Sequence, residues 1–162
     1  ADEIARGLSP FNPASQAVSA GKLVLKRTDR LIGQGKSFAI ETTLSGHHIR
    51  KIIAKAKAAG YVVELYYLFC RDVNVNLARI TNRVKQGGHH VPADDVRRRY
   101  WRSLVNFHTV YKDICDIVYL YDTTGESLVF MARKIAGQPF EGYHEAVTKF
   151  QEKVNEAIRD HR

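Results

Sequence analysis

Two cysteines, one methionine, one tryptophan and four prolines are all that the 162 residues hold of those types. So few cysteines exclude a disulfide-stapled scaffold. Cys70 and Cys115 both sit beside apolar stretches, the setting expected of reduced thiols in a cytoplasmic core. No apolar run reaches the ~18–20 residues of a membrane span. The longest lies around Tyr61–Cys70 and is broken by Glu64. The N-terminus lacks the charged-then-apolar order of a signal peptide, and no internal repeat or low-complexity linker interrupts the chain. Acidic residues are also in short supply, 17 against 25 Lys and Arg, for a net charge of +8.

What is present is an ordinary globular composition, 44% hydrophobic and 26% charged, which removes disordered, collagen-like and coiled-coil readings. At roughly 100–200 residues per domain the length predicts one domain. A domain of this size buries most of its apolar surface without staples. The positive charge is concentrated: residues 22–57 carry 9 basic and 2 acidic groups, and residues 71–102 carry 8 and 3. Residues 103–162 are slightly acidic, with 7 and 9. A positive middle in a near-neutral frame suits an anionic partner, whether nucleotide phosphate, a phosphorylated metabolite or nucleic acid. It equally suits a solvated basic helix face.

Periodicity divides the chain into alternating helices and strands. The Ser9-Pro10-Phe11-Asn12-Pro13 turn should open a helix around Ala14–Ile32, stopped by Gly33 and Gly35. Ser37–Thr42 reads as a short, mostly buried strand. Ile49, Ile52, Ile53, Ala56 and Ala59 share one helix face, and Gly60 ends that helix. Tyr61–Phe69 is apolar and β-prone enough for a central strand. Asp72 or Asn74 could cap a helix over Val75–Gln86, and a long helix should run from Ala93 to Ile114. Strands at Ile117–Tyr121 and Leu128–Ala132, paired with each other, precede a last amphipathic helix carrying Tyr143, Val147, Phe150, Val154 and Ile158. This alternation predicts an α/β fold with a parallel sheet wrapped by helices.

Gly33-Gln34-Gly35-Lys36-Ser37 resembles a phosphate-binding loop only in part. Such a loop needs a glycine five positions before that of Gly-Lys-Ser, and Arg30 stands there. It also follows a strand and opens a helix, whereas here the helix comes first. The stronger cluster is Arg97-Arg98-Arg99-Tyr100-Trp101-Arg102, just after Gly87-Gly88-His89-His90-Val91-Pro92. On a helix Arg98 and Arg102 are neighbours and Arg99 adjoins them, so their guanidinium groups could grip phosphate oxygens above a glycine hinge. A solvent-facing basic helix is the competing account. Glu41-Thr42-Thr43 ends a strand where open α/β sheets bind ligands, and could hold substrate hydroxyls or hydrated Mg²⁺. Alternatively, Thr43 or Ser45 caps the next helix. The histidine pairs 47–48 and 89–90 lack companions at zinc spacing, so no metal site is expected.

Taken together, Ala1-Asp2-Glu3-Ile4-Ala5, the turn at 9–13, Gly35-Lys36-Ser37-Phe38-Ala39-Ile40-Glu41-Thr42-Thr43-Leu44-Ser45-Gly46 and the block from Gly87 to Tyr100 resemble the zeta toxin family. They are most similar to its bacterial branch of uncharacterised P-loop kinase-like ATPases. The resemblance spans essentially the whole chain and implies a three-layer, mostly parallel sheet with helices on both faces. It implies transfer of the γ-phosphoryl group of ATP, with Mg²⁺, to a small hydroxyl-bearing metabolite; the family's toxins phosphorylate UDP-N-acetylglucosamine. It places Asp2 as general base, Glu41 and Thr42 on the substrate side, and residues 83–102 as a lid. In that lid Arg98, Arg99 and Arg102 meet the phosphates, with Arg83 and His90 behind them. The family's first strand and P-loop would precede Ala1, so the expectation is an N-terminally incomplete kinase domain, inactive as written. The chain is then either a fragment of a longer kinase or a degenerate relative with another use. An antitoxin protein is an expected partner; membrane and nucleic acid are not. The alternative is a non-catalytic basic module that binds nucleic acid or an acidic protein.

Overall fold

The computed structural model describes residues 17–88 and 90–161. The chain divides into two units, residues 1–41 and residues 42–162. In the first, α1 (Ala17–Gly33) is an amphipathic helix with Lys22, Lys26, Arg27 and Arg30 exposed. It closes as the double glycine predicts. Gly35 adopts φ +64° and donates its N–H to Ile32 O at 3.1 Å, while Lys36 N–H reaches Leu31 O at 3.1 Å. This is a Schellman stop, a left-handed turn that glycine enters without a Cβ clash. Residues 36–43, expected to include a buried strand over Ser37–Thr42, form no strand in the structure. Phe38 and Ile40 are half-buried and the rest of Ser37–Thr42 is exposed. A strand is defined by ladder pairing to a neighbour, and among the described residues this segment is not part of the sheet.

The second unit runs α2 (His48–Ala58), β1 (Glu64–Phe69), α3 (Val73–Lys85) and α4 (Ala93–Asn106). The helix of α4 continues as a π-helical turn, Phe107–Tyr111, and a last α turn, Lys112–Ile114. Then follow β2 (Ile117–Asp122), β3 (Val129–Ile135), β4 (Glu141–Gly142) and α5 (His144–Asp160). Asp72 is the α3 cap, its carboxylate accepting Asn74 N–H at 2.9 Å. The predicted 93–114 helix has the expected ends but is broken inside by the π turn, which the spacing of its apolar stripe did not reveal.

Among the described residues the strands form one sheet in the order β1-β2-β3-β4. Only β1 and β2 are parallel, Glu64 facing Ile117 and Phe69 facing Asp122. The β2–β3 and β3–β4 pairs are antiparallel, so this part of the sheet is mixed rather than mostly parallel. Short connections explain that, because a few residues allow a hairpin but not a parallel crossover. The two-residue strand β4 was not foreseen.

Tyr67, Phe69, Val118 and Leu120 share the sheet's buried face, where Tyr67 and Phe69 pack on Phe107 and Phe150, and Leu104 and Val154 are buried as well. Aromatic edges and faces lock this core: Tyr67 to Phe107 at 4.3 Å, Phe69 to Phe150 at 4.9 Å, Phe107 to Phe150 at 5.3 Å. Burial pushes the Tyr67 hydroxyl far above its usual pKa, and it shares a 3.0 Å hydrogen bond with Ser103 Oγ. The other face of β1 is open, with Tyr66 55% and Leu68 59% exposed. The apolar, β-prone run Tyr61–Phe69 predicts a central strand. Within the described sheet β1 is instead an edge strand covered on one face.

Candidate functional site

Two groups of polar side chains are built at the ends of these elements. The first is the turn at Thr42–Gly46, just before α2. Leu44 has φ +52°, a left-handed conformation that costs a non-glycine residue about 1–3 kcal/mol, and its side chain is only 3% exposed. The conformation is held from several directions. Leu44 N–H donates to Thr42 Oγ1 at 3.2 Å, and Asn106 Nδ2 donates to Leu44 O at 2.7 Å from a buried position. Tyr111 Oη donates to Gly46 O at 2.8 Å, and burial raises the pKa of that hydroxyl. Thr43 Oγ1 and Ser45 Oγ share a hydrogen bond at 2.8 Å. The N-cap position of α2 is His47, and no side chain caps it, so neither Thr43 nor Ser45 does the capping work offered as their alternative role. The turn therefore presents three hydroxyls, Thr42 and Thr43 exposed, on a backbone fixed from the core.

The second group lies at the carboxyl ends of the parallel strands β1 and β2, where ligands bind in open α/β sheets. Arg71, just after β1, reaches Asp122 Oδ2 through Nε and Nη2, each at 2.7 Å. Asp122 Oδ1 also accepts Thr124 N–H at 2.8 Å. Burial opposes ionisation of this carboxyl, but the hydrogen bonds from Thr124 and Arg71 outweigh it and hold the pKa below the usual carboxylate range. Arg79 of α3 donates to the carbonyls of Thr123 and Gly125, the latter at 2.9 Å. Tyr100 Oη donates to Cys70 O at 2.9 Å, tying α4 to the same strand end. Sequence reasoning passed over Arg71, Arg79, Asp122 and Thr124. The available signal was position, since each lies at or just after the carboxyl end of a parallel strand or on the helix that follows β1.

The arginines singled out from sequence are on α4 as expected. Arg98, Arg99 and Arg102 are all exposed. Asp95, in the first turn of the helix, pairs with Arg98 at 2.8 Å and lies 3.8 Å from Arg99. Arg83 is exposed in the last turn of α3 and His90 is exposed before α4. Between them the chain turns through Gly87, at φ +83°, and Gly88, where a Cβ would stand 2.5 Å from Arg83 Cγ. Glu41 is exposed at the end of the first unit, apart from the pinned turn by unit though adjacent in sequence. Asp2 lies outside the described residues.

A nucleoside triphosphate needs backbone amides gathered at a helix N-terminus. Those of Gly35 and Lys36 are already spent on closing α1, so the Gly33–Ser37 segment is not a phosphate cradle. Among the described residues the hydroxyls of Thr42, Thr43 and Ser45 gather in one turn, and the exposed arginines gather on α4.

A mixed sheet with helices following β1 and polar side chains at the carboxyl ends of β1 and β2 places the described residues in the α/β class, and the P-loop kinase-like fold comes with the family match. The sequence model of the zeta toxin family matches residues 13–135, about three quarters of the chain, and the chain belongs to that family. An uncharacterised protein of Haemophilus influenzae is 39% identical over 99 residues, which cover 61% of this chain and 71% of the relative. No solved structure matches. Among the described residues no helix is long and apolar enough to cross a membrane.

Proposed function

We propose that the protein acts as an ATP-dependent phosphotransferase on a hydroxyl of a small metabolite, a UDP-sugar being the acceptor tested first. Family membership supports the reaction class, and the observation that carries the acceptor side is the pinned turn at Thr42–Gly46. Phosphoryl transfer depends on positioning and on charge placed around the moving group more than on covalent chemistry. Thr42 and Thr43 would orient the acceptor, with Glu41 beside them in sequence. Arg98, Arg99 and Arg102 would leave Asp95 or solvent to meet phosphate oxygens, which guanidinium groups grip in pairs. Arg83 and His90 would support that cover from across the Gly87-Gly88 hinge, and Asp2 would take the acceptor proton. ATP, when bound, supplies the phosphoryl group and Mg²⁺ neutralises its charge. An acidic antitoxin is the partner this reading implies, in the cytoplasm.

The test uses the natural full-length protein with ATP, Mg²⁺ and UDP-N-acetylglucosamine, reading transfer by mass. Arg99→Ala should lower kcat at least tenfold with little change in melting temperature. Unchanged turnover would remove Arg99 from its role, and no product from the unsubstituted protein would remove the UDP-sugar.

A second reading draws on the exposed Arg50, Lys51 and Lys55 of α2, a basic face suited to nucleic acid or an acidic protein. DNA affinity falling steeply with salt would favour it. Negligible binding at low salt would exclude the nucleic-acid form.

A further inference from the structure

The π-helical turn Phe107–Tyr111 begins and ends on fully buried side chains, Phe107 and Tyr111. The apolar stripe that Val96, Tyr100, Leu104 and Phe107 begin would continue inward on a plain α-helix. Its geometric effect is specific. On an α-helix, residues five apart are separated by about 140° around the axis, so Asn106 and Tyr111 would face different directions. A π turn closes i→i+5 bonds, and here Lys112 N–H reaches back to Phe107 O. One wider turn brings Asn106 and Tyr111 to the same side, where both meet the same short turn. Asn106 bonds Leu44 O at 2.7 Å and Tyr111 bonds Gly46 O at 2.8 Å. These two carbonyls bracket Ser45, whose hydroxyl pairs with Thr43. Leu44, between Thr43 and Ser45, is the non-glycine residue with positive φ among the described residues. Its buried side chain anchors the turn, so the left-handed conformation is imposed on leucine here and not simply permitted by a glycine.

We infer that the π turn is a positioning device: through Asn106 and Tyr111 it holds Leu44 left-handed and thereby sets the Thr42, Thr43 and Ser45 hydroxyls to bind a hydroxyl-bearing acceptor. The inference rests on the acceptor reading proposed above for this turn, and it adds two residues that touch no substrate. Asn106 and Tyr111 are positioning residues. Their contribution is to deny the turn its relaxed conformations, so that the acceptor meets hydroxyls already oriented.

The test compares Tyr111→Phe, Asn106→Asp and Thr43→Val in the full-length protein by two readouts. The first is amide hydrogen exchange at Leu44 and Ser45 without any substrate. The second is KM for UDP-N-acetylglucosamine beside KM for ATP. Tyr111→Phe and Asn106→Asp should speed exchange in the turn about tenfold and raise the UDP-sugar KM about tenfold, leaving the ATP KM unchanged. Thr43→Val should raise the same KM while leaving exchange slow. Should Asn106→Asp fail to fold, Tyr111→Phe decides alone, since it removes one oxygen. Unchanged exchange in Tyr111→Phe overturns the inference, and so does a UDP-sugar KM that responds to Thr43→Val but not to Tyr111→Phe. Faster exchange in Tyr111→Phe, with a KM indifferent to Thr43→Val, supports the pinning and overturns the acceptor reading.

Discussion

The start of α4 and the carboxyl ends of β1 and β2 both pair an arginine with an aspartate at nearly one distance, 2.8 Å for Arg98–Asp95 and 2.7 Å for Arg71–Asp122. Their settings differ in every other respect. Asp95 and Arg98 are three residues apart on one helix, and their side chains are 33% and 57% exposed. Asp122 and Arg71 are separated by 51 residues, and the Asp122 side chain is 9% exposed and further bonded by Thr124. The first pair forms whenever the helix forms and holds nothing else. The second joins the ends of two strands. A short distance therefore says little about what a pair is for; separation along the chain and burial say more. The loosely paired arginines have little to give up in the role proposed for them, while Arg71 joins the ends of β1 and β2.

The sharpest way to break the contrast is at Asp122. Asp122→Ala should cost about 2 kcal/mol, less than a fully buried pair because Arg71 can return to solvent. A shift in urea midpoint at constant m-value measures it. A loss near that of a surface pair would erase the distinction. The pH dependence sharpens the point. Asp122 has a folded pKa below its unfolded value, so its stabilisation is fully present above about pH 4 and is lost as pH falls through the folded value. Asp122→Asn should flatten the acid limb of stability by at most about 1.4 kcal/mol per pH unit. Asp116, also held low by Lys57 and the Val63 amide, keeps part of the slope. An unchanged limb would mean that Asp122 titrates alike in both states.

The contrast also marks how much the sequence told. Helix periods, the glycine stops at Gly35 and Gly60, the Gly87-Gly88 loop and the choice of Asp72 or Asn74 as cap are local signals, and the structure carries them, with Asp72 the cap. Arg97–Arg102 was legible for the same reason, as a run on one helix. Ser37–Thr42 failed because a strand is defined by its neighbour, and β1 changed from central to edge for a related reason. Asn106 and Tyr111 were unreadable: Tyr111 fits the apolar stripe, and its hydroxyl finds Gly46 65 residues away. Arg71 and Asp122 look like ordinary surface charges until the parallel pairing of β1 with β2 puts Phe69 beside Asp122. Thr42 and Thr43 were named from sequence, but the strained Leu44 between their hydroxyls and Ser45 was not.

The smallest expected effect tests the other side of the comparison. Arg98→Ala removes one exposed pair, for which about 0.5 kcal/mol or less is expected. That remainder should fade in 1 M NaCl, where the Debye length falls to about 3 Å. Asp95 keeps Arg99 nearby at 3.8 Å, so part of the charge complement survives the substitution. Asp95 also stays in the first turn, where its negative charge favours the helix N-terminus whether or not Arg98 is present. Thermal melts of Arg98→Ala and the unsubstituted protein at 0.1 and 1 M NaCl should then agree within a degree or two. A loss as large as that of Asp122→Ala, persisting in salt, would make Arg98 a structural residue and take it off the list of groups free to meet phosphate.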